Sequence, residues 1–345
     1  MNVKKLSRFL IIILMFLFSN IRSGAQITVL PHDPNIQYIG RFDLSNPDEP
    51  VCWLVGTEIR AQFSGTSISA IFSGSATYFN LVVDGRLSYF CFAGKGDVIC
   101  PLAIGLRDTI HTISIIKRHS PWAGQTFKGF VLDEGKSLSA PSARSDRRIE
   151  FYGDSMTQGA QVDVPGTGPD LNESIYDNNY NSYAMMVARA FNAECSIVAK
   201  NGATLVAGPN KTDIPSVYNR IGCSKESPIW DFSKWKADVV VVNLGENDDP
   251  LPSNFTSTYV SFVKDIRSKY PNAPIFLLAG PLWNGIDQIH CDAIQEVATT
   301  LNADGDPKVY FYKLKKAVDH PGHNRTADNL ISSEELVAKI RTVIW

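Results

Sequence analysis

The chain has 345 residues, 44% of them hydrophobic and 20% charged, with 33 basic against 35 acidic side chains and a net charge of −2. That composition excludes a disordered chain and a multi-span membrane protein, and the length predicts two domains. The basic excess of a nucleic-acid binder is missing, and six cysteines are too few for a disulfide scaffold.

The first element is a secretory signal. Lys4, Lys5 and Arg8 precede an unbroken apolar run from Phe9 to Phe18, too short to span a bilayer. Ser23 and Ala25 put small residues at −3 and −1, so cleavage is expected after Ala25 and the chain is expected to be secreted or periplasmic. An uncleaved anchor is the alternative. Removing residues 1–25 takes away Lys4, Lys5, Arg8 and Arg22 and no acid, leaving 29 basic against 35 acidic residues and a net charge of −6. No other segment reads as a membrane span.

From about Ile27 to Gly135 the pattern is short apolar alternation cut by Gly, Ser and Asp. Ser67 to Phe72, Tyr78 to Val83 and His111 to Ile116 have period two, and Asp84-Gly85 is a hairpin turn signal. Many short strands with frequent turns predict an all-β sandwich of jelly-roll type over residues 26–135. Cys91 and Cys100 could bridge a hairpin; buried free thiols are the alternative reading for all six cysteines. No C-x-x-C pair occurs. Residues 136–146 (KSLSAPSARSD) are polar and lack an apolar period, which predicts a linker.

After the linker the period changes. Strands are predicted at Arg148 to Tyr152, Ser196 to Ala199, Ala237 to Leu244, Pro274 to Ala279 and Val309 to Leu314. Helices are predicted at Tyr180 to Phe191, Tyr259 to Tyr270, Asp287 to Leu301 and Ser332 to Val343. Continuous apolar strands alternating with helices predict a parallel sheet buried on both faces over residues 147–345. In such a sheet the site lies beyond the carboxyl ends of the strands.

Four segments reach that rim: Gly153-Asp154-Ser155, Asn201-Gly202-Ala203, Gly245-Glu246-Asn247-Asp248 and Asp319-His320-Pro321-Gly322-His323. Acyl transfer needs such parts. A serine hydroxyl becomes a useful nucleophile when an imidazole takes its proton, and the tetrahedral oxyanion needs fixed N–H donors. The Ser155 and Gly202 amides and the Asn247 side chain are the candidate donors, and a glycine lets a backbone amide approach closely. No G-x-S-x-G elbow, P-loop or His-Glu-x-x-His motif is present. His320 and His323 have metal-pair spacing but no evident third ligand.

These blocks, in this order, resemble the SGNH (GDSL-type) hydrolase superfamily. Gly40-Arg41-Phe42, Trp53-Leu54-Val55-Gly56-Thr57, Gly129 to Asp133, Trp230-Asp231-Phe232-Ser233 and Asn243-Leu244-Gly245 extend the resemblance to carbohydrate esterase family 2, over nearly the whole mature chain. The resemblance implies a jelly-roll domain followed by a flavodoxin-like three-layer α/β domain. It also implies removal of O-acetyl groups from an acetylated poly- or oligosaccharide such as xylan or glucomannan, with no metal or organic cofactor.

Two positions depart from the pattern. The usual aspartate three residues before the catalytic histidine is Ala317 here, so a Ser155–His320 dyad is expected, with Asp319 as the alternative orienting group. Where the family has Thr, this chain has Glu246, expected to face solvent or a cation. His320 is preferred to His323 because Pro321 follows it as in the family. His290, at a predicted helix start, is expected at the surface or in a cap, and Asp154 is expected to brace the turn by hydrogen bonding. Trp283 and Trp122 are candidates for stacking on a sugar or for packing. The segment from Ala160 to Asn178 is expected to shape the sugar site. The rival readings are an esterase of lipid or aryl esters, and a carbohydrate-binding protein with weak hydrolase activity.

Overall fold

The computed structural model describes residues 26–92, 94, 96–119, 124–280, 288–315 and 321–345. Two antiparallel sheets form the N-terminal part. One runs in the order Phe42–Asp43, Val51–Cys52, Gln125–Leu132, Ile68–Gly74, Val98–Ala103, and Ile27–Val29 also pairs with Gln125–Leu132. The other runs Leu138–Ser139, Glu58–Gly65, Thr109–Lys117, Thr77–Val83, Arg86–Phe92, and Gln37–Ile39 also pairs with Glu58–Gly65. Several neighbours in space are distant in sequence, as in a jelly roll.

Alternation builds the core between these sheets. In Ile68–Gly74 the side chains of Ile68, Ala70 and Phe72 are buried, while those between them are partly exposed. Phe72 stacks on Phe79 at 4.8 Å between ring centres and meets Phe127 at 5.5 Å. Asp84 and Gly85 both have positive φ, which closes the tight hairpin from Thr77–Val83 to Arg86–Phe92. Cys91 and Cys100 lie on strands of opposite sheets, and no disulfide is formed among the described residues. Part of the polar segment read as a linker belongs to the sandwich. Leu138–Ser139 pairs with Phe63 and Gln62, and one buried leucine among polar neighbours was too short a signal for a strand.

The second part is a five-stranded parallel sheet. Its strands are β1 (Arg148–Gly153), β2 (Glu194–Ala199), β3 (Val239–Asn243), β4 (Ile275–Ala279) and β5 (Val309–Lys313), in the order β2-β1-β3-β4-β5. Its helices are α1 (Ser155–Gln158), α2 (Tyr183–Ala190), α3 (Phe255–Lys269), α4 (Gln288–Ala303) and α5 (Thr326–Arg341). Val240, Val242 and Leu277 pack with Phe262 of α3 and Val297 of α4 on one face. Phe151, Val241 and Phe276 pack with Val187 of α2 and Leu336 of α5 on the other. Helices on both faces explain why β3 is apolar at successive positions. Strand β1 lies between β2 and β3, so the strand order reverses at its carboxyl end and opens a crevice there.

Helix α5 starts six residues before its predicted start. Asn329, Ser332 and Ser333 are buried on it, and these polar residues hide the apolar period. The Asp328 carboxylate accepts from the Arg325 N–H at 2.7 Å and fixes the start.

A buried ion pair joins the two parts. Arg41 of the sandwich donates through Nη2 to Glu150 Oε1 of β1 at 2.6 Å, and both side chains are fully enclosed. Its Nη1 donates to the carbonyls of Tyr218 and Arg220, each at 2.6 Å. Replacing Arg41 with Met leaves the Glu150 carboxylate dry and without its charged partner. Loss of one member of such a pair costs about 3–5 kcal/mol, so Arg41→Met is expected to lower the chemical denaturation midpoint strongly. A shift equivalent to less than about 1 kcal/mol, the size of an exposed pair, would contradict this.

Candidate active site

Ser155 sits where β1 turns into the single-turn helix α1. Gly153 is required there, since a Cβ would lie 2.0 Å from Thr157 Oγ1 and 3.0 Å from the Asn243 carbonyl. Asp154 caps the turn by accepting from the Met156 N–H at 3.0 Å. Gly159, at φ +82°, ends it in the left-handed region. Thr157 Oγ1 and Tyr183 OH share a 2.8 Å hydrogen bond, and Asn179 Nδ2 donates to the carbonyls of Thr157 and Gln158 at 3.1 and 3.0 Å. Ser155 is thus held at the strand end by contacts on every side of its turn.

Two further loops are tied to this turn. After β2, the Lys200 N–H donates to the Gly153 carbonyl at 3.3 Å, and the Asn201 N–H donates to Gln158 Oε1 at 2.8 Å. Gly202 follows at φ +73°, with no atom within 4 Å of where a Cβ would point. After β3, Asn247 Nδ2 donates to the Ala203 carbonyl at 2.9 Å and lies 3.5 Å from Asp154 Oδ2. The Asp248 carboxylate accepts from the Leu205 and Val206 N–H groups at 2.8 and 2.9 Å, and Lys211 Nζ donates to the Asn247 carbonyl at 2.6 Å. The turn that carries Asp154 and Ser155 and the loops that carry Gly202 and Asn247 are therefore locked to one another.

The electrostatics follow from burial. Asp154 is pushed up to about 7, first by desolvation and further by the nearby Asp248 carboxylate, against the opposing Met156 N–H bond. Burial also raises Asp248, although the Leu205 and Val206 N–H groups work the other way. Both carboxyls accept backbone N–H groups of the loops around the turn.

His320, Asp319, Trp283 and Trp122 lie outside the described residues. His323 is buried, and its Nδ1 lies 2.6 Å from Asp170 Oδ2, while Arg325 Nη1 donates to Asp170 Oδ1 at 2.8 Å. Burial opposes ionisation of Asp170, but the Arg325 and His323 hydrogen bonds outweigh it and leave its pKa lowered. Asp170 was missed by sequence reasoning because its partners are 153 and 155 residues away and no local pattern marks it. Arg118 was missed for the same reason. From the sandwich it donates to the carbonyls of Asp177 and Ile175 at 2.9 and 2.8 Å and to Asp163 Oδ2 at 2.8 Å, fixing the segment that follows α1.

One expectation is corrected. His290 is buried at the start of α4, packed edge-on against Phe255 with Nε2 3.3 Å from the Asp248 carbonyl, instead of lying at the surface. Glu246 is partly exposed and lines a small space with Asn243, His290 and Ile294. Asn243 ends β3 and donates to the Gly280 carbonyl at 3.4 Å.

Comparison with known proteins follows the same two-part division. The carbohydrate esterase 2 N-terminal family matches residues 38–141, and the GDSL-like lipase/acylhydrolase family matches residues 151–329. The cellulase/esterase CelE of Acetivibrio thermocellus is 32% identical over 325 residues, which cover 90% of this chain and 39% of that protein. The chain therefore spans well under half the length of that relative. An acetylxylan esterase / glucomannan deacetylase of Cellvibrio japonicus is 24% identical over 92% of this chain and 91% of its own length. A family two carbohydrate esterase from Clostridium thermocellum, solved in complex with cellohexaose, is similar with a TM-score of 0.82 and 30% identity, covering 89% of this chain and 98% of that one.

The raised Asp154 carboxyl has a stability signature. Folded, it keeps its proton up to about pH 7; unfolded, it releases it near the ordinary 3.8. Between those values the unfolded chain binds fewer protons, so this group's contribution is complete below the lower value and is lost as pH rises to the upper one. Thermal unfolding from about pH 4 to 8 is expected to show Asp154→Asn gaining on the wild type as pH rises, then levelling off above about 7. Parallel pH profiles for the two proteins would refute it.

Proposed function

The chain belongs to carbohydrate esterase family 2, within the GDSL-like hydrolases, and from that premise we propose that it removes O-acetyl groups from acetylated glycans such as xylan or glucomannan. Ser155 Oγ attacks the acetyl carbonyl as His320 takes its proton. His320 then delivers that proton to the departing sugar oxygen. The same imidazole activates water, which hydrolyses the acetyl-serine and releases acetate. The Ser155 and Gly202 N–H groups and the Asn247 amide receive the oxyanion.

The observation that carries this reading is the tie from Asn247 Nδ2 to the Ala203 carbonyl, beside Asp154. It joins the loops after β1, β2 and β3 at the nucleophile. A primary amide has two N–H donors. One is used by Ala203, and the 3.5 Å contact to Asp154 is weak enough for the other to serve a developing oxyanion. The curated relatives named for acetylxylan and glucomannan deacetylation, and the cellohexaose in the related structure, support a glycan over a lipid or aryl ester.

The Asp170–His323 pair favours a second reading, in which His323 is the base and Asp170 orients it. Acetate release from acetylated xylan and glucomannan separates the two. His320→Ala is expected to abolish turnover, whereas Asp319→Ala and His323→Ala retain most of it. Retained activity in His320→Ala with loss in His323→Ala would establish the second. Ser155→Ala is expected to release no acetate above background, and Asn247→Ala to lower kcat about 10²–10³-fold, as for removal of one oxyanion donor. An active Ser155→Ala protein would refute the acetyl-serine route.

The basic and apolar N-terminus further supports an exported product without its first 25 residues. N-terminal sequencing of exported protein is expected to begin at Gln26, and retention of Met1 would refute cleavage.

A further inference from the structure

Asp154 touches more than the turn that it caps. It is buried, with Oδ1 accepting from the Met156 N–H and Oδ2 lying 3.5 Å from the Asn247 amide nitrogen. That amide already donates to the Ala203 carbonyl at 2.9 Å, so one N–H remains for either Asp154 or a developing oxyanion. At 3.5 Å the contact with Asp154 stands at the limit of a hydrogen bond and holds that N–H only weakly.

The surroundings of Asp154 favour its neutral form. Asp248 on the loop after β3, Tyr183 on α2 and Tyr259 on α3 are the titratable groups that bear on it, and among the described residues none supplies a positive charge. Lys211, from the segment after β2, and His290 of α4 bear on Asp248 instead. Desolvation, and then Asp248, push the Asp154 carboxyl up to about 7 against the opposing Met156 N–H, close to the pH at which an imidazole base becomes active. The two protonation states differ in what they do to Asn247. A hydrogen bond to a carboxylate is shorter and about twice as strong as one to a neutral acceptor. Ionised, Asp154 therefore competes for the remaining N–H and sets a like charge beside the oxyanion.

We propose that Asp154 is a positioning residue that acts in its protonated form: it caps the nucleophile's turn through Oδ1 and leaves the second Asn247 N–H to the oxyanion, whereas its ionisation takes that N–H away. One buried carboxyl thereby sets an upper pH limit to catalysis that is separate from the titration of the histidine base. This rests on the acetyl-serine route above.

The test is the pH dependence of kcat/KM for acetate release from an acetylated xylo-oligosaccharide and for hydrolysis of a small aryl acetate, which forms its oxyanion at the same acetyl carbon. Wild-type kcat/KM is expected to fall above about pH 7, about tenfold for each further pH unit, and to recover on return to about pH 6. Asp154→Asn cannot ionise, and its amide oxygen still accepts the Met156 N–H, so its profile is expected to lose the falling limb. Asp248→Asn removes the neighbouring charge and is expected to move that limb to lower pH. A purely structural cap would leave the limb in place in all three proteins. The wild-type limb unchanged in Asp154→Asn, or wild-type activity level up to about pH 9, would overturn the proposal and leave the deacetylase reading standing. If Asp154→Asn fails to fold, an unmoved limb in Asp248→Asn overturns it. Hydrolysis of aryl acetate with none of any acetylated glycan would instead overturn the deacetylase reading, and the aryl acetate profiles would still decide the role of Asp154.

Discussion

The buried pair of Arg41 and Glu150 is the constraint on which the arrangement depends. A carboxylate with no exposure is tolerable only if its oxygens are matched by donors. Glu150 receives Arg41, Ser196 Oγ at 2.9 Å, Tyr152 OH at 2.7 Å and Tyr270 OH. Those donors come from the sandwich, from β2, from β1 itself and from the residue that follows α3. The guanidinium in turn holds two carbonyls of the segment after β2 and lies 5.4 and 5.3 Å from the ring centres of Trp230 and Phe232. One ion pair therefore fixes the sandwich to the strand that delivers Ser155 and to the segment after β2.

Around the nucleophile, carboxyl groups organise the backbone. Asp154 caps α1, and Asp248 accepts two adjacent N–H groups of the loop after β2. These bonds tie the loops that carry Gly202 and Asn247 to the turn that carries Ser155. In the proposed mechanism the burial that raises Asp154 acts in the same sense, because it favours the neutral form, which repels an oxyanion less than a carboxylate does. Preorganised donors are effective because they need no reorientation when the charge forms.

A second set of contacts runs from the sandwich to the C-terminal segment. Arg118 and Asn80 hold residues 163–178, with Asn80 Nδ2 donating to Asn178 Oδ1 at 2.9 Å. Within that segment Asp170 binds His323 and Arg325. The sandwich is thereby tied, through residues 163–178, to the segment that leads into α5. The N-terminal part is thus tied to the α/β part through Arg41 and again through Arg118 and Asn80.

Local sequence was enough for the two parts of the fold and for naming candidate groups at the strand ends. Period two marked the sandwich strands and continuous apolar runs marked the parallel sheet, because burial of a face repeats along the chain within a few residues. Gly153-Asp154-Ser155, Gly202 and Asn247 were legible because strand ends can be located and each residue type has a chemical reason to be there. Leu138–Ser139 and the first turns of α5 were not, since a strand of two residues has no period and buried serines and asparagine imitate an exposed face. Arg41 with Glu150, Arg118 with residues 163–177, and Asp170 with His323 join residues dozens to more than a hundred positions apart. Such pairing leaves no periodic trace, because its geometry exists only after the core has brought the segments together. The sequence alone determined which groups are available for chemistry; the tertiary structure decided which of them meet, since burial and hydrogen-bond satisfaction are properties of the packed chain.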